Sequence, residues 1–153
     1  MMVLVCGDRK WGNYRCDRCA KIVWPCPCCI ERNKSYEDAM VREFKNFNIS
    51  CDKDVVIEGD AAGADKMAGR IATKLGFARG HNLQVYPADW PRYGRAAGSI
   101  RNQVMLDKLL AAKRDGVEVL VLAFHPDIER SKGTKDMVTR SRAAGVRAEV
   151  FPC

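Results

Sequence analysis

The chain has 153 residues, 47% of them hydrophobic and 29% charged, with eight cysteines and a formal net charge of +7. That is the length and balance of one globular domain, residues 1–153, able to bury a core. No apolar run approaches the roughly 20 residues of a membrane span, so no membrane partner is expected. The N-terminus lacks the basic leader of a signal peptide, which points to the cytoplasm.

The charge is unevenly spread. Between Arg9 and Lys34 seven basic residues face two acidic ones, Asp17 and Glu31, and the same segment is rich in cysteine. A local basic surface attracts nucleic acid or phosphorylated ligands, or is simply solvated charge.

In chain order, residues 2–6 are apolar throughout and read as a buried first strand. They run into Gly7, Asp8, Arg9, Lys10 and Trp11. Loops at the carboxyl ends of strands form the ligand crevice of an α/β domain, which makes Gly7, Asp8, Arg9 and Trp11 candidate ligand contacts. Trp11 reads equally as a core or lid aromatic.

Two C-x-x-C units follow, Cys16/Cys19 and Cys26/Cys29, six residues apart. Each can place two thiolates on one tetrahedral Zn²⁺, and four thiolates close a structural site with no position for water. Residues 12–34 are therefore expected to be a zinc-binding insertion held by Cys16, Cys19, Cys26 and Cys29. Cys28 is spare or replaces Cys29. Disulfides are disfavoured without an export signal. A redox pair is disfavoured because the thiols read as lying in a Pro-rich loop, not at a helix start.

Ser35 reads as the N-cap of an amphipathic helix ending near Phe47. Residues 54–58 form the second strand. They lead into Gly59, Asp60, Ala61, Ala62, Gly63, Ala64 and Asp65, a turn opening a helix over residues 64–75. Such a turn presents backbone N–H groups and a positive helix end to an anion. A third strand over residues 83–88 reaches Asp89, Trp90, Tyr93 and Gly98, a loop too rich in aromatic and charged residues for a mere connector. Ser99 reads as the N-cap of the next helix, with Ile100, Val104, Met105, Leu106, Leu109 and Leu110 on or near its apolar face. Arg101 and Asn102 then fall in its first turn, where an Arg opposes the dipole unless an anion is bound or an acid such as Asp107 pairs with it. Residues 117–124 are the most apolar strand and the expected sheet centre. A loop over residues 125–132 opens the last helix at Gly133, Thr134, Lys135 and Asp136, and residues 146–151 are the final strand. Alternating strands and helices predict a Rossmann-like three-layer α/β sandwich with a mostly parallel five-stranded sheet.

Four ordered stretches carry a resemblance. They are residues 5–11, residues 59–65, residues 86–90 continued by 93–102, and residues 132–137. Together they resemble the YspA-like branch of the SLOG superfamily, Rossmann-like proteins related to the LOG phosphoribohydrolases and to DprA. The resemblance implies a pocket for a nucleotide-derived small molecule: a nucleoside phosphate, an ADP-ribose-like compound or a nucleotide sugar. Gly59, Gly63, Ala64, Gly133 and Thr134 match its phosphate-cradling loops. Asp8, Asp65, Trp90, Tyr93, Asn102 and Lys132 join the expected ligand contacts. Arg101 matches in role the arginine that LOG-type enzymes set beside the scissile N-glycosidic bond. Their partner glutamate, from G-T-x-x-E, is here Met137, which carries no charge and activates no water. An N-glycosidic hydrolase would then use Arg101 with Asp89 or Asp136. A sensor or sequestering protein needs no such carboxylate. DprA-like nucleic-acid binding through the basic cysteine segment is the third expectation. The family often forms homo-oligomers.

Overall fold

The computed structural model describes residues 1–17 and 26–152. Five strands form one sheet: β1 (Met2–Gly7), β2 (Val55–Glu58), β3 (Leu83–Val85), β4 (Val119–Phe124) and β5 (Arg147–Phe151). Their spatial order is β3-β2-β1-β4-β5, and every neighbouring pair is parallel. The helices are α1 (Pro27–Asn46), α2 (Ala64–Lys74), the single turn α3 (Trp90–Tyr93), α4 (Ala97–Arg114) and α5 (Lys132–Ala143).

Strand alternation builds the layers. Val3, Val5, Val56, Leu120, Leu122 and Phe124 point to one face and pack with Met40 and Phe44 of α1 and Met67 and Ile71 of α2. Met2, Leu4, Cys6, Ile57, Val121 and Ala123 point to the other and meet Met105, Leu106 and Leu109 of α4 and Met137 and Val138 of α5. Both faces of β1 and β4 are thus buried, which is why these strands read as unbroken apolar runs. Each large aliphatic side chain so removed from water contributes about 1.5–3 kcal/mol. The result is the expected three-layer Rossmann-like sandwich, with all five strands parallel.

Two helices begin earlier than their expected caps. The first starts at Pro27, not Ser35, with Cys26 at the N-cap. Proline at the first helical position lacks only an N–H that would be unsatisfied there, and its φ already suits a helix. Residues 27–34 are therefore the first turns of α1, and the thiols of Cys26, Cys28 and Cys29 sit at a helix start. The expectation of a loop there is corrected. Likewise α4 starts at Ala97, directly after α3 and a 3₁₀ turn, with Ser99 inside its first turn. Ile100 and Val104 face outward at 38% and 46% exposure. The buried stripe of α4 is Asn102, Met105, Leu106, Leu109 and Ala112, and a polar residue belongs to it because Asn102 is hydrogen-bonded across the site. No helix among the described residues is long and apolar enough to cross a membrane.

Candidate functional site

The chain reverses direction across the sheet between β1 and β4, since β1 leads to β2 on one side and β4 to β5 on the other. Ligands of open α/β sheets bind beyond the strand ends at such a switch point. A crevice of about 980 Å³ opens there. Its walls are the β1–α1 loop (Gly7, Asp8, Arg9, Lys10), the β2–α2 loop (Gly59, Asp60, Ala61, Ala62), and Pro87, Ala88 and Trp90 after β3. Arg95, Gly98, Ser99, Arg101 and Asn102 lie around the start of α4, and His125, Arg130, Ser131, Lys132, Gly133, Thr134 and Asp136 surround the start of α5.

Of the expected contacts, Gly7, Asp8, Arg9, Gly59, Asp65, Trp90, Gly98, Arg101, Asn102, Lys132, Gly133, Thr134 and Asp136 share this crevice. Five others do not line it. Trp11 is 1% exposed, packs its ring against Tyr36 and Phe124, and donates Nε1–H to the Tyr36 carbonyl. It is a core residue. Gly63 and Ala64 are packed beneath the β1–α1 loop, with the Ala64 amide already donated to the Asp8 carbonyl. Tyr93 is outside the crevice beneath the Arg92 guanidinium, and Asp89 caps α3 by accepting the Arg92 amide.

The β2–α2 loop is not an open phosphate nest. Its amides at Ala61 and Gly59, with that of Gly7, act on the carboxylate of Asp65 in the first turn of α2. Asp65 is 2% exposed. Burial pushes its carboxyl up to about 6, against the opposing pull of Arg101 and those amides. Arg101 spans the crevice to reach it, 3.5 Å from Asp65 Oδ2, and also donates to the Gly59 carbonyl. The partner of Arg101 is thus Asp65 and not Asp107, and the guanidinium that opposes its own helix dipole is neutralised from a neighbouring element. Nearby, burial raises Glu58 at the end of β2 to about 7, and it accepts the Asp60 amide. Burial also raises the Cys6 thiol far above its ordinary range, with the Asp65 charge adding to the effect. Cys6 is therefore a neutral thiol and not a nucleophile.

Asp136 is held by Arg140 Nε at 2.7 Å and by Asn102 Nδ2 at 3.2 Å, so it fixes α5 to α4. Asp60 pairs with Lys66 at 3.4 Å. Four crevice cations, Arg9, Lys10, Arg95 and Lys132, have no carboxylate partner among the described residues. Arg9 lies 6.0 Å from the centre of the half-exposed Trp90 ring. The crevice thus carries a surplus of positive charge beside one aromatic platform. Lys10, Arg95, Ser131 and His125 were not singled out from the sequence. The one available signal was that a strand-to-helix loop as polar as residues 125–132 follows the central strand.

A second cluster lies where the chain after β1 meets the start of α1. The sulfurs of Cys16, Cys26, Cys28 and Cys29 all lie within 4.8 Å of one another. Cys16 and Cys26 are 3.8 Å apart and Cys26 and Cys29 3.6 Å, close to the about 3.8 Å edge of a tetrahedron with 2.3 Å metal–sulfur bonds, while Cys26 and Cys28 stand closer, at 2.8 Å. The Cys16 amide donates to Cys29 Sγ at 3.2 Å, the kind of outer bond that steadies a thiolate ligand. Hydrogen bonding to Cys26 pushes the Cys28 thiol up to about 12. Four thiolates this close ionise together only around a cation. The donor set therefore fits a metal ion, with Cys28 inside the cluster. The expectation for Cys19 lies outside the described residues.

Fold and site together define a Rossmann-like α/β protein with a cationic crevice at its switch point and a four-cysteine cluster able to hold a metal. The chain is similar to the Gene 61 protein of Mycobacterium phage D29, with 35% identity over 94 residues. The match takes in 60% of this chain and 66% of the phage protein, just under two thirds of its length. No family model matches the chain, and no solved structure does.

Proposed function

We propose that the protein binds a nucleotide-derived anion in the switch-point crevice, as a sensor or sequestering protein of the YspA-like SLOG type. The supporting observation is the set of four cations, Arg9, Lys10, Arg95 and Lys132, that line one crevice and have no carboxylate partner among the described residues. The amides of Lys132 and Gly133 donate to no protein acceptor among the described residues, while that of Thr134 donates to Ser131 Oγ at 3.1 Å. A phosphoryl group at the start of α5 would take those amides and the helix dipole together. Trp90, with Arg9 above its ring, offers a face to a base. A nucleoside phosphate, ADP-ribose or a nucleotide sugar supplies both features.

Differential scanning with AMP, NAD and ADP-ribose, paired with chromatography of each mixture, tests this reading. Stabilisation at micromolar ligand without turnover supports it. Release of free base assigns the protein to N-glycosidic hydrolysis instead. Asp89 and Asp136 are engaged elsewhere, so that chemistry would fall to Arg101 and Asp65. Salt-sensitive binding of single-stranded DNA with no response to the nucleotides points to DprA-like behaviour.

We also propose that the cysteine cluster holds one structural Zn²⁺. The clustering of four sulfurs within 4.8 Å, two of their separations close to a tetrahedral edge, supports it, and thiolate ligands suit zinc. Elemental analysis of the purified protein decides this: one zinc per chain is expected, and a folded metal-free protein refutes it.

A further inference from the structure

His125 stands directly after β4, beside the carboxyl end of β1, where Gly7 and Phe124 are register partners. Its backbone N–H donates to the Phe151 carbonyl at 3.1 Å, which fixes the residue to β5. Its side chain is fixed as well: Nδ1 accepts the Asp127 amide at 3.1 Å. A neutral imidazole that accepts at Nδ1 carries its proton on Nε2 and donates from there. The residue is only 9% exposed, and no hydrogen-bond partner among the described residues takes that second nitrogen. No buried side-chain nitrogen or oxygen among the described residues lacks a partner. Nε2 is therefore not sealed in the core. His125 is one of the residues lining the crevice.

From this we infer that His125 is a ligand-contacting residue, whose Nε2–H donates to an oxygen of a phosphoryl group seated at the start of α5. The inference rests on the anion-binding reading of the crevice and adds its most rigid donor. Lys132 is exposed and reaches the anion on a flexible stem, whereas His125 is held at backbone and ring before any ligand arrives. A pre-positioned donor loses little freedom on binding, so it discriminates geometry better than a mobile cation does. Ser131 caps α5 through Thr134 and leaves the amides of Lys132 and Gly133, residues that line the same crevice, without a protein acceptor among the described residues. The arrangement selects a tetrahedral oxyanion presenting several acceptors, such as a phosphate monoester or the terminal phosphoryl of a diphosphate, over a planar neutral ligand.

The chain has two histidines, and the other, His81, is exposed and outside the crevice, which makes imidazole NMR self-controlled. In a two-bond ¹H–¹⁵N spectrum of the full-length protein, His125 should show the Nε2-protonated tautomer. Its Nε2 resonance should move on titration with inorganic phosphate or ADP-ribose while those of His81 stay in place. In calorimetry with ADP-ribose, His125→Leu should bind roughly 10- to 100-fold more weakly. His125→Gln, which keeps an N–H donor, should recover most of that loss. An unmoved Nε2 resonance in ligand-saturated wild-type protein, or unchanged affinity in a folded His125→Leu, overturns this inference and leaves the crevice reading standing. Failure of the wild type to bind AMP, NAD, ADP-ribose or phosphate overturns both.

Discussion

Replacing Gly63 by alanine should destabilise the protein severely, while the same change at Gly133 should not. Gly63 has φ +85° and ψ −125°, a region that side-chain-bearing residues essentially avoid. A Cβ placed there would lie 2.1 Å from the Asp8 carbonyl oxygen and 2.5 Å from the Arg9 carbonyl carbon. Both are backbone atoms, and the loop cannot retreat easily because the Ala64 amide is bonded to that same Asp8 oxygen at 3.0 Å. Forced backbone conformation costs about 1–3 kcal/mol and overpacking about the same again, so Gly63→Ala should lose about 2–6 kcal/mol. For a chain of this size that lowers the melting temperature by roughly 5–20 °C. Gly133 has open space where its Cβ would go and lies in the first turn of α5, so alanine should leave stability equal or raise it by about 0.5–1 kcal/mol. The methyl enters open space at a residue lining the crevice, so on the anion-binding reading Gly133→Ala should weaken ADP-ribose binding roughly tenfold. Urea unfolding and calorimetry of the two variants measure both effects. A Gly63→Ala protein melting within about 2 °C of wild type would refute the close-approach argument.

Cys29→Ser should abolish stoichiometric zinc and lower the melting temperature, as should a strong chelator acting on wild type; equal metal content in variant and parent would contradict the cluster assignment. Glu58, raised to about 7, and Asp65, raised to about 6, contribute stability that is full below about pH 4 and is lost as pH rises through those values. Glu58→Gln should therefore flatten the decline between about pH 4.5 and 7 in urea titrations, and an unchanged slope would count against the burial argument. Arg101→Ala removes the charge that opposes protonation of Asp65 and should cost about 3–5 kcal/mol at pH 8, where a buried carboxylate is left unpaired. Without Arg101 the Asp65 carboxyl is held higher than the about 6 it has in the wild type, so the loss should shrink as pH falls toward 6 and level off below it; a deficit independent of pH would show that Arg101 acts by packing alone.

The sheet was legible because its signal is local. β1 and β4 are apolar at every position, and strand–helix alternation leaves few topologies for such segments. Helix starts were less so. Ser35 and Ser99 have capping chemistry, but Pro27 fits the first helical position and α3 already feeds α4, so each helix extends upstream of its serine. At the site, loop membership was legible and side-chain direction was not. Trp11 occupies a loop that enters the crevice, yet its large apolar surface is worth more against Tyr36 and Phe124 than against solvent. His125 had the opposite fate. A lone histidine after an apolar strand has no sequence signature, and only the Asp127 amide on Nδ1 identifies its donor face.

The two glycine-bearing helix starts look alike in sequence and are chemically opposite in the fold. At α2, the amides of Gly59 and Ala61 act on Asp65, a carboxylate from the helix itself, and Arg101 balances it. An external phosphate entering there would meet a buried acid and amides already facing one, and would have to displace Arg101 from the Gly59 carbonyl. At α5, the capping residue is the neutral Ser131, and the nearby carboxylates are already engaged, Asp136 with Arg140 and Asn102 and Glu129 with Lys135. The first two amides stay open, with Lys132 and His125 beside them. Electrostatics thus assigns the two ends different work. The α2 end is an internal salt link that locks β1, β2 and α4 around the crevice, and the α5 end is where an incoming anion gains the most and displaces the least.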